Sequence, residues 1–158
     1  MERFSLEFAL AVAEEAHTGQ VDKAGVEYLL HPLTVMDIVD GEEAKIVALL
    51  HDVVEDSDAT FEYLDSLGCP VQVVGAVRLL THGKDFDGTL ESYFQNIQII
   101  AGSGNQLVID VKYADNTNNL NPSRIDNPTE RDFIRWDKYR KSREILYPFV
   151  SNYLKVLV

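Results

Sequence analysis

The feature that most constrains the fold of this chain is a polar segment that directly follows an apolar helix. The segment reads His51-Asp52-Val53-Val54-Glu55-Asp56, and residues 44–50 before it are apolar on nearly every side. A helix of that kind is buried. Burying ionised side chains without partners costs on the order of several kcal/mol each, whereas a divalent cation takes imidazole and carboxylate groups as ligands. The segment therefore predicts a metal site in the core.

Other polar side chains lie in or beside apolar stretches in the same way. His31 opens a predicted helix and would supply a second imidazole, and Asp115 follows the apolar residues 107–114 and would supply a second aspartate. Two imidazoles and two aspartates leave open positions on a five- or six-coordinate ion, as a catalytic ion requires. A lone His-Asp pair is also common as a surface pair or a helix cap. Spacing alone leaves both interpretations open.

Two carboxylates lie one helical turn beyond the His-Asp pair. Glu55 is four residues after His51, and Asp56 is four residues after Asp52, so on a helix each lies directly beyond one member of the pair. A general base that takes a proton from metal-activated water needs this position. The pattern predicts a metal-dependent hydrolase.

Length and composition are those of a globular protein. The chain has 158 residues, 46% of them apolar and 25% charged, and we predict a single domain over residues 1–158. No apolar run approaches the ~20 residues that cross a bilayer, and the N-terminal residues lack the basic start of a signal peptide. Cys69 is the only cysteine, which excludes an internal disulfide. A cytoplasmic location and no membrane partner are expected.

The charge distribution argues against binding to nucleic acid polymers. The formal net charge is −12, whereas such binding needs a basic face. Residues 124–158 nevertheless hold eight of the fourteen cations and five acids, so this segment is +3 and the remainder −15. These cations either form a solvated helix face or hold a small anionic substrate.

The hydrophobic spacing predicts an all-α fold of about seven to nine helices. Gly and Pro positions separate the segments, and Pro148 ends or kinks the last helix. In that helix we expect Phe133, Trp136, Tyr139 and Leu146 to face inward. The predicted helices cover residues 2–18, 32–39, 42–54, 60–67, 70–81, 89–101, 105–119 and a long segment that begins near 128 or 129.

Together these motifs resemble one family, the HD-domain phosphohydrolases, and within it the alarmone hydrolase group of RelA/SpoT-type proteins and small alarmone hydrolases. The order and intervals of the motifs fit over residues 4–150, nearly the whole chain. The matching segments are Ala16-His17-Thr18-Gly19-Gln20, Tyr28-Leu29-Leu30-His31-Pro32, residues 48–56, Leu80-Thr81, Val111-Lys112-Tyr113-Ala114-Asp115 and Asn119.

The resemblance implies an HD-type helical bundle that removes pyrophosphate from the 3′ position of guanosine tetra- or pentaphosphate. The partner is then a small purine nucleotide, and the sequence leaves the choice between monomer and homo-oligomer open. The family's ion is typically manganese, and its ligands match His31, His51, Asp52 and Asp115. The pair that orients and activates water matches Glu55 and Asp56. The family's substrate contacts match Lys23 and Asn119. Apart from the resemblance, we expect Arg140 and Arg143 to offset substrate charge, and Lys112 either to contact phosphate or to form an ion pair with Asp115, three residues later.

Besides Glu27, which stands where the family usually has a proline, the sequence departs from the family pattern at three positions near these motifs. Asp22 stands where the family usually has an arginine that packs on guanine, and a carboxylate there would repel phosphate. His82 replaces a lysine, and Asn116 replaces an arginine. These changes leave two alternatives open. One is a phosphohydrolase for another nucleotide, either a nucleoside monophosphate or a dinucleotide 2′-phosphate, and the other is a poorly active nucleotide sensor.

Overall fold

The computed structural model describes residues 3–156 and confirms the all-α prediction. Its regular structure is helical apart from one isolated antiparallel bridge, between Val21 and Glu27. None of the helices in these residues has the length and apolar character that crossing a membrane requires. The α-helices are α1 Leu6–Ala16, α2 Leu30–Ile38, α3 Glu42–Leu50, α4 Val53–Asp56, α5 Phe61–Ser66, α6 Val71–Leu80, α7 Leu90–Gly102, α8 Gln106–Asn119 and α9 Glu130–Leu146, with 3-10 turns at Pro122–Arg124, Tyr147–Phe149 and Asn152–Val156.

Two helix boundaries differ from the prediction in ways that matter for the polar segments. The helix expected over 42–54 is interrupted, because α3 ends at Leu50 and α4 begins at Val53 after a turn at residues 51–52. The second helix begins at Leu30, two residues before Pro32. The first helix was expected over 2–18 and covers Leu6–Ala16, with residue 2 outside the described residues.

The core is built around α3. Six of its nine residues are buried, and the helix packs against α1, α2, α6 and α8. Leu49 and Leu50 have no solvent exposure, so truncating either to alanine should cost about 2–5 kcal/mol. The carboxyl end of α3 therefore meets the start of α2 and the middle of α8 inside the protein, where the predicted ligands lie.

The last long helix, α9, packs along α7 and α8 and forms one wall of the cleft described below. It begins with a capping box between Thr129 and Asp132 and ends before Pro148, as predicted. Its inward face was only partly predicted. Leu146 is buried, but Phe133 is 56% exposed, and Trp136 is half-buried at the cleft instead of in the core.

Candidate metal centre

The four predicted ligands converge on one point, although they come from three separate segments of the chain. Nε2 of His31 lies 2.9 Å from Oδ1 of Asp115 and 3.8 Å from Oδ2 of Asp52. Nε2 of His51 lies 3.1 Å from Oδ2 of Asp52 and 3.6 Å from Oδ1 of Asp115. Ligand atoms of His31, His51 and Asp52 all lie within 4.8 Å of one another. Such spacing lets one ion contact these three residues, and Asp115 lies within 4.0 Å of both imidazoles.

The His51 imidazole is oriented as a metal ligand requires. Its Nδ1 lies 2.5 Å from the carbonyl oxygen of Ala48, which accepts the Nδ1 proton. Its Nε2 is buried and, within the described residues, makes no hydrogen bond. A ligating histidine characteristically donates its other ring N–H to a carbonyl or carboxylate, which fixes the tautomer. The orphaned nitrogen and the two carboxylates beside it fit a divalent cation.

Two amide groups and one ammonium group contact His31 and Asp115, two of the predicted ligands. The Asn118 amide lies 2.7 Å from Nδ1 of His31. Asn119 and Lys112 donate to the two oxygens of Asp115 at 3.0 and 2.9 Å, respectively. Asn118 was not predicted to have this role, although the Asn118-Asn119 pair at the end of a buried helix was the available signal.

Electrostatics keep both aspartates ionised, as ligation requires. Burial alone would raise the pKa of Asp115, but Lys112 and the two imidazoles hold that pKa well below its usual range. Burial likewise opposes ionisation of Asp52, and the neighbouring His51 outweighs it, which lowers the pKa of Asp52. Burial opposes protonation of His51, but Asp52 and Asp115 raise the pKa of that imidazole. The two carboxylates therefore favour a positive charge at this position.

Glu55 and Asp56 lie beside this centre because α4 restarts after the turn. The Tyr28 hydroxyl donates to Oδ2 of Asp52 at 2.5 Å and to Oδ2 of Asp56 at 3.3 Å. Burial and the nearby Asp52 charge raise the pKa values of Glu55 and Asp56. Glu55 keeps 34% of its side chain exposed, so it faces the open side. No polar role was predicted for Tyr28.

The metal centre opens into a cleft of about 640 Å³. Its walls carry three kinds of group: acids near the ligands, cations, and aromatic or apolar side chains. The acids are Asp22, Asp52, Glu55, Asp56, Asp115 and Asp132, the cations are Lys23, Lys112, Arg124, Arg135 and Lys138, and the ring-bearing residues include Tyr28, His31, His82, Phe86, Tyr93, Trp136 and Tyr139. This combination suits a ligand with an aromatic base and several phosphate groups.

Three of the five predicted substrate contacts line the cleft, namely Lys23, Lys112 and Asn119. Lys23 also lies 3.5 Å from Oδ1 of Asp132.

The other two predicted contacts, Arg140 and Arg143, do not line the cleft. Arg140 is exposed and pairs with Asp137 at 2.5 Å and Glu144 at 3.0 Å, whereas Arg143 donates to the Tyr113 hydroxyl at 2.9 Å. The helix turns a different face to the site, and its residues Arg135 and Lys138 line the cleft instead.

The three departures from the family pattern have different surroundings. Asn116 is fully buried away from the cleft, where it donates to Ser142 at 2.5 Å and accepts from Tyr93 at 3.3 Å. Asp22 lines the cleft and accepts from two backbone amides of its own loop at 2.8 and 3.0 Å. His82 also lines the cleft and stacks on Phe86 at 3.7 Å between ring centroids. Asp22 and His82 could therefore contact a ligand in the cleft, whereas Asn116 could not.

None of the protein-family models compared with the chain matches it. Among curated proteins, it is 34% identical over 119 residues to a guanosine-3′,5′-bis(diphosphate) 3′-pyrophosphohydrolase of Spiroplasma citri, covering 71% of this chain and 16% of that protein. It is 34% identical over 152 residues to the bifunctional (p)ppGpp synthase/hydrolase SpoT of Escherichia coli K12, covering 91% of this chain and 21% of that protein. The chain thus spans about a fifth of these relatives' length.

A solved structure shares both the fold and most of the length of this chain. It is described as a metazoan ortholog of SpoT that hydrolyzes ppGpp and plays a role in starvation responses. The two superimpose with a TM-score of 0.81 at 28% identity, over 98% of this chain and 92% of that one. The sequence motifs, the close approach of the candidate ligands and the similarity to these proteins all indicate the same family. The chain belongs to the RelA/SpoT-type group of the HD-domain family.

Proposed function

We propose that this protein is a metal-dependent phosphohydrolase that removes pyrophosphate from the 3′ position of guanosine tetra- or pentaphosphate. The observation that carries the proposal is the convergence of two imidazoles and two aspartates beside a pair of further carboxylates in a cleft lined by cations and aromatic rings. The names of the curated relatives and of the solved structure support the choice of substrate.

His31, His51, Asp52 and Asp115 would hold the metal, which we propose is Mn²⁺. When bound, such an ion lowers the pKa of a coordinated water and polarises a phosphoryl oxygen. Lys112, Asn118 and Asn119 keep the ligands in place through the contacts described above. The aspartates are ionised without the ion, so the site needs no proton release from them to bind it.

Glu55 is assigned as the general base, with Asp56 orienting the same water. The raised pKa of Glu55 suits a group that accepts a proton during the reaction. Water attacks the phosphorus that carries the sugar oxygen, and its proton passes to Glu55. The bond between that phosphorus and the 3′ oxygen breaks, and pyrophosphate leaves with the water oxygen. The 3′ oxygen takes a proton from solvent to become a hydroxyl, and Glu55 later releases its proton to solvent. The nucleotide product is GDP or GTP.

Lys23, Lys112 and Asn119 are proposed to contact the phosphates and ribose, because each lines the cleft with a polar group. Lys112 serves the ligand Asp115 and faces the phosphate side at the same time. We propose one domain over residues 1–158 and a cytoplasmic location, where a soluble purine nucleotide is the partner.

A second candidate is a phosphohydrolase for another nucleotide, and one observation favours it. Asp22 borders the cleft as a carboxylate, and Arg124 lies 3.9 Å from its Oδ2. This pair presents less positive charge to a nucleotide than a free arginine would. Nucleoside monophosphates and dinucleotide 2′-phosphates are the substrates to compare.

The test combines metal analysis with a substrate panel. The protein is stripped with a chelator and reloaded with Mn²⁺, Mg²⁺ or Zn²⁺. Release of pyrophosphate or phosphate is then measured from guanosine tetraphosphate, guanosine monophosphate and a dinucleotide 2′-phosphate. The proposal expects Mn²⁺-dependent pyrophosphate release from the tetraphosphate at the highest kcat/KM. Faster turnover of another compound favours the second candidate, tight binding without product indicates a sensor, and indifference to chelation excludes the metal centre.

A further inference from the structure

Lys138 lies in the cleft without an acidic partner. Its Nζ is 4.6 Å from the ring centroid of Tyr93 and 4.7 Å from that of Tyr139. Among the described residues, no carboxylate oxygen lies within 4.0 Å of the Lys138 ammonium. By contrast, Arg140 and Lys141 on the same helix both form ion pairs with carboxylates. A half-buried ammonium that only aromatic faces contact is an incompletely satisfied cation.

Arg135 reinforces the positive charge at this position. It lies one turn before Lys138 on α9, lines the same cleft and donates to the Tyr139 hydroxyl at 3.3 Å. It too has no carboxylate within ion-pair distance among residues 3–156. The ammonium of Lys112 lies 5.8 Å from the centroid of the same Tyr93 ring, but Asp115 neutralises it. Arg135 and Lys138 are therefore the uncompensated pair.

Because Lys138 is partly buried among cations, its ammonium group loses its proton more readily than an exposed lysine does. Burial, followed by the charges of Arg135 and Lys112, lowers the pKa of Lys138 to about 8. An anion between Lys138 and Arg135 would offset that repulsion. Because the Tyr93 ring contacts both Lys112 and Lys138, the anion would lie one aromatic ring away from the metal centre.

We propose that Lys138 and Arg135 form a second phosphate subsite, which binds the phosphate group of the nucleotide that is not cleaved. The inference rests on the proposed function and extends it, because it assigns the 5′-diphosphate end of the substrate to α9. Lys138 is then a specificity-determining residue. It selects nucleotides with phosphates at both ends over nucleotides that carry only the cleaved group.

The first test measures binding alone, so it does not depend on turnover. Inorganic pyrophosphate is titrated into the chelator-treated protein and followed by calorimetry and by the fluorescence of Trp136, the only tryptophan, which lines the cleft. We expect Lys138→Met to weaken binding about tenfold or more, since it removes a charge-assisted contact with the anion. Lys138→Arg should retain binding.

Lys141→Met is the matched control, because it removes the same charge from an exposed position of the same helix that pairs with Asp137. It should bind pyrophosphate as the wild type does. Equal affinity in the wild type and Lys138→Met, or no binding by the wild type, overturns the subsite.

The second test compares guanosine tetraphosphate with guanosine 3′-diphosphate, which has the same scissile group and no 5′ phosphates. Lys138→Met should lower kcat/KM about tenfold for the first compound and less than threefold for the second. An equal loss on both compounds overturns the subsite. If the wild type cleaves neither compound while pyrophosphate binding still depends on Lys138, the proposed function fails and the subsite stands.

Discussion

The Tyr28 hydroxyl donates a 2.5 Å hydrogen bond to the carboxylate of Asp52, and at 3.3 Å it also reaches Asp56. One phenol therefore links a proposed metal ligand to a proposed water-orienting acid. Burial and the surrounding carboxylates, Asp52 first, raise the pKa of Tyr28 far above the ordinary value, so it remains a donor at every physiological pH.

Tyr28→Phe should weaken Mn²⁺ binding and lower kcat, each by about 10- to 100-fold, because partners of ligands fix ligand orientation. Metal affinity is measured by calorimetry and kcat by pyrophosphate release. Tyr63→Phe, at an exposed position on α5, is the control. Unchanged metal affinity and rate in Tyr28→Phe would remove this role.

Glu55→Gln should bind Mn²⁺ like the wild type and lower kcat by about 10²–10⁴-fold, the contribution of a general base. The amide keeps the size of the side chain and cannot accept the proton. Glu62→Gln, on the exposed side of α5, controls for the loss of one negative charge. Full activity in Glu55→Gln would exclude the assigned mechanism.

Metal should stabilise the folded protein, and the effect should require the ligand set. A ligand at 1,000 times its dissociation constant adds about 4 kcal/mol to the free energy of unfolding. Thermal unfolding with and without Mn²⁺ should show a clear rise in Tm for the wild type and none for Asp52→Ala. The same rise in both would place the ion elsewhere.

Asn116→Ala should reduce stability by about 1–3 kcal/mol without changing the metal affinity. The residue is fully buried and joins α8 to α9 and α7 through Ser142 and Tyr93, so its removal leaves buried polar groups unpaired. Urea unfolding measures the loss. In a double-mutant cycle with Ser142→Ala the two losses should be less than additive, and strict additivity would contradict the contact.

Pyrophosphate affinity should fall as the pH rises through about 8, because Lys138 loses its charge there. The groups that face it are Arg135 and Tyr139 on α9, Lys112 and Asp115 on α8, Tyr93 on α7, and His82. Burial and Lys112 lower the pKa of His82, so that ring is neutral throughout the window. Lys138→Arg keeps its charge and should lack this fall. Identical profiles for the two proteins, measured by calorimetry from pH 7 to 9.5, would contradict the prediction.

The proximity of the candidate ligands was predictable because ionisable side chains are conspicuous within buried helices. His51 and Asp115 each adjoin an apolar run, and that local conflict needs no knowledge of the tertiary fold. The interruption of the helix at residues 51–52 was not predictable in this way, since residues 42–54 have good helical spacing throughout. The helix ends where the His51 ring hydrogen-bonds the Ala48 carbonyl, a contact that hydrophobic spacing does not reveal.

The cations of α9 that line the cleft could not be predicted in this way. Arg131, Arg135 and Lys138 share one face of α9 at the spacing i, i+4, i+7, whereas Arg140, Lys141 and Arg143 lie on its other sides. Because cations are present all round the helix, their positions alone do not identify the face that meets the cleft. Tertiary contacts select Arg135 and Lys138, while Arg140 is neutralised by acids on its own helix. Tyr28 was missed for a similar reason, because a phenol shows its polar role only when its partner carboxylates are known.

The hydrogen bond from the His51 ring to the Ala48 carbonyl has a consequence for folding as well as for chemistry. Carbonyls in the last turn of a helix have no partner further along the chain, and this imidazole satisfies one of them at the end of the central helix. A substitution of His51 that abolishes metal binding should therefore also fray the segment around which the interior is packed. The proposed metal centre and the end of the most buried helix thus share the His51 side chain, so a change at this residue should affect stability as well as metal binding.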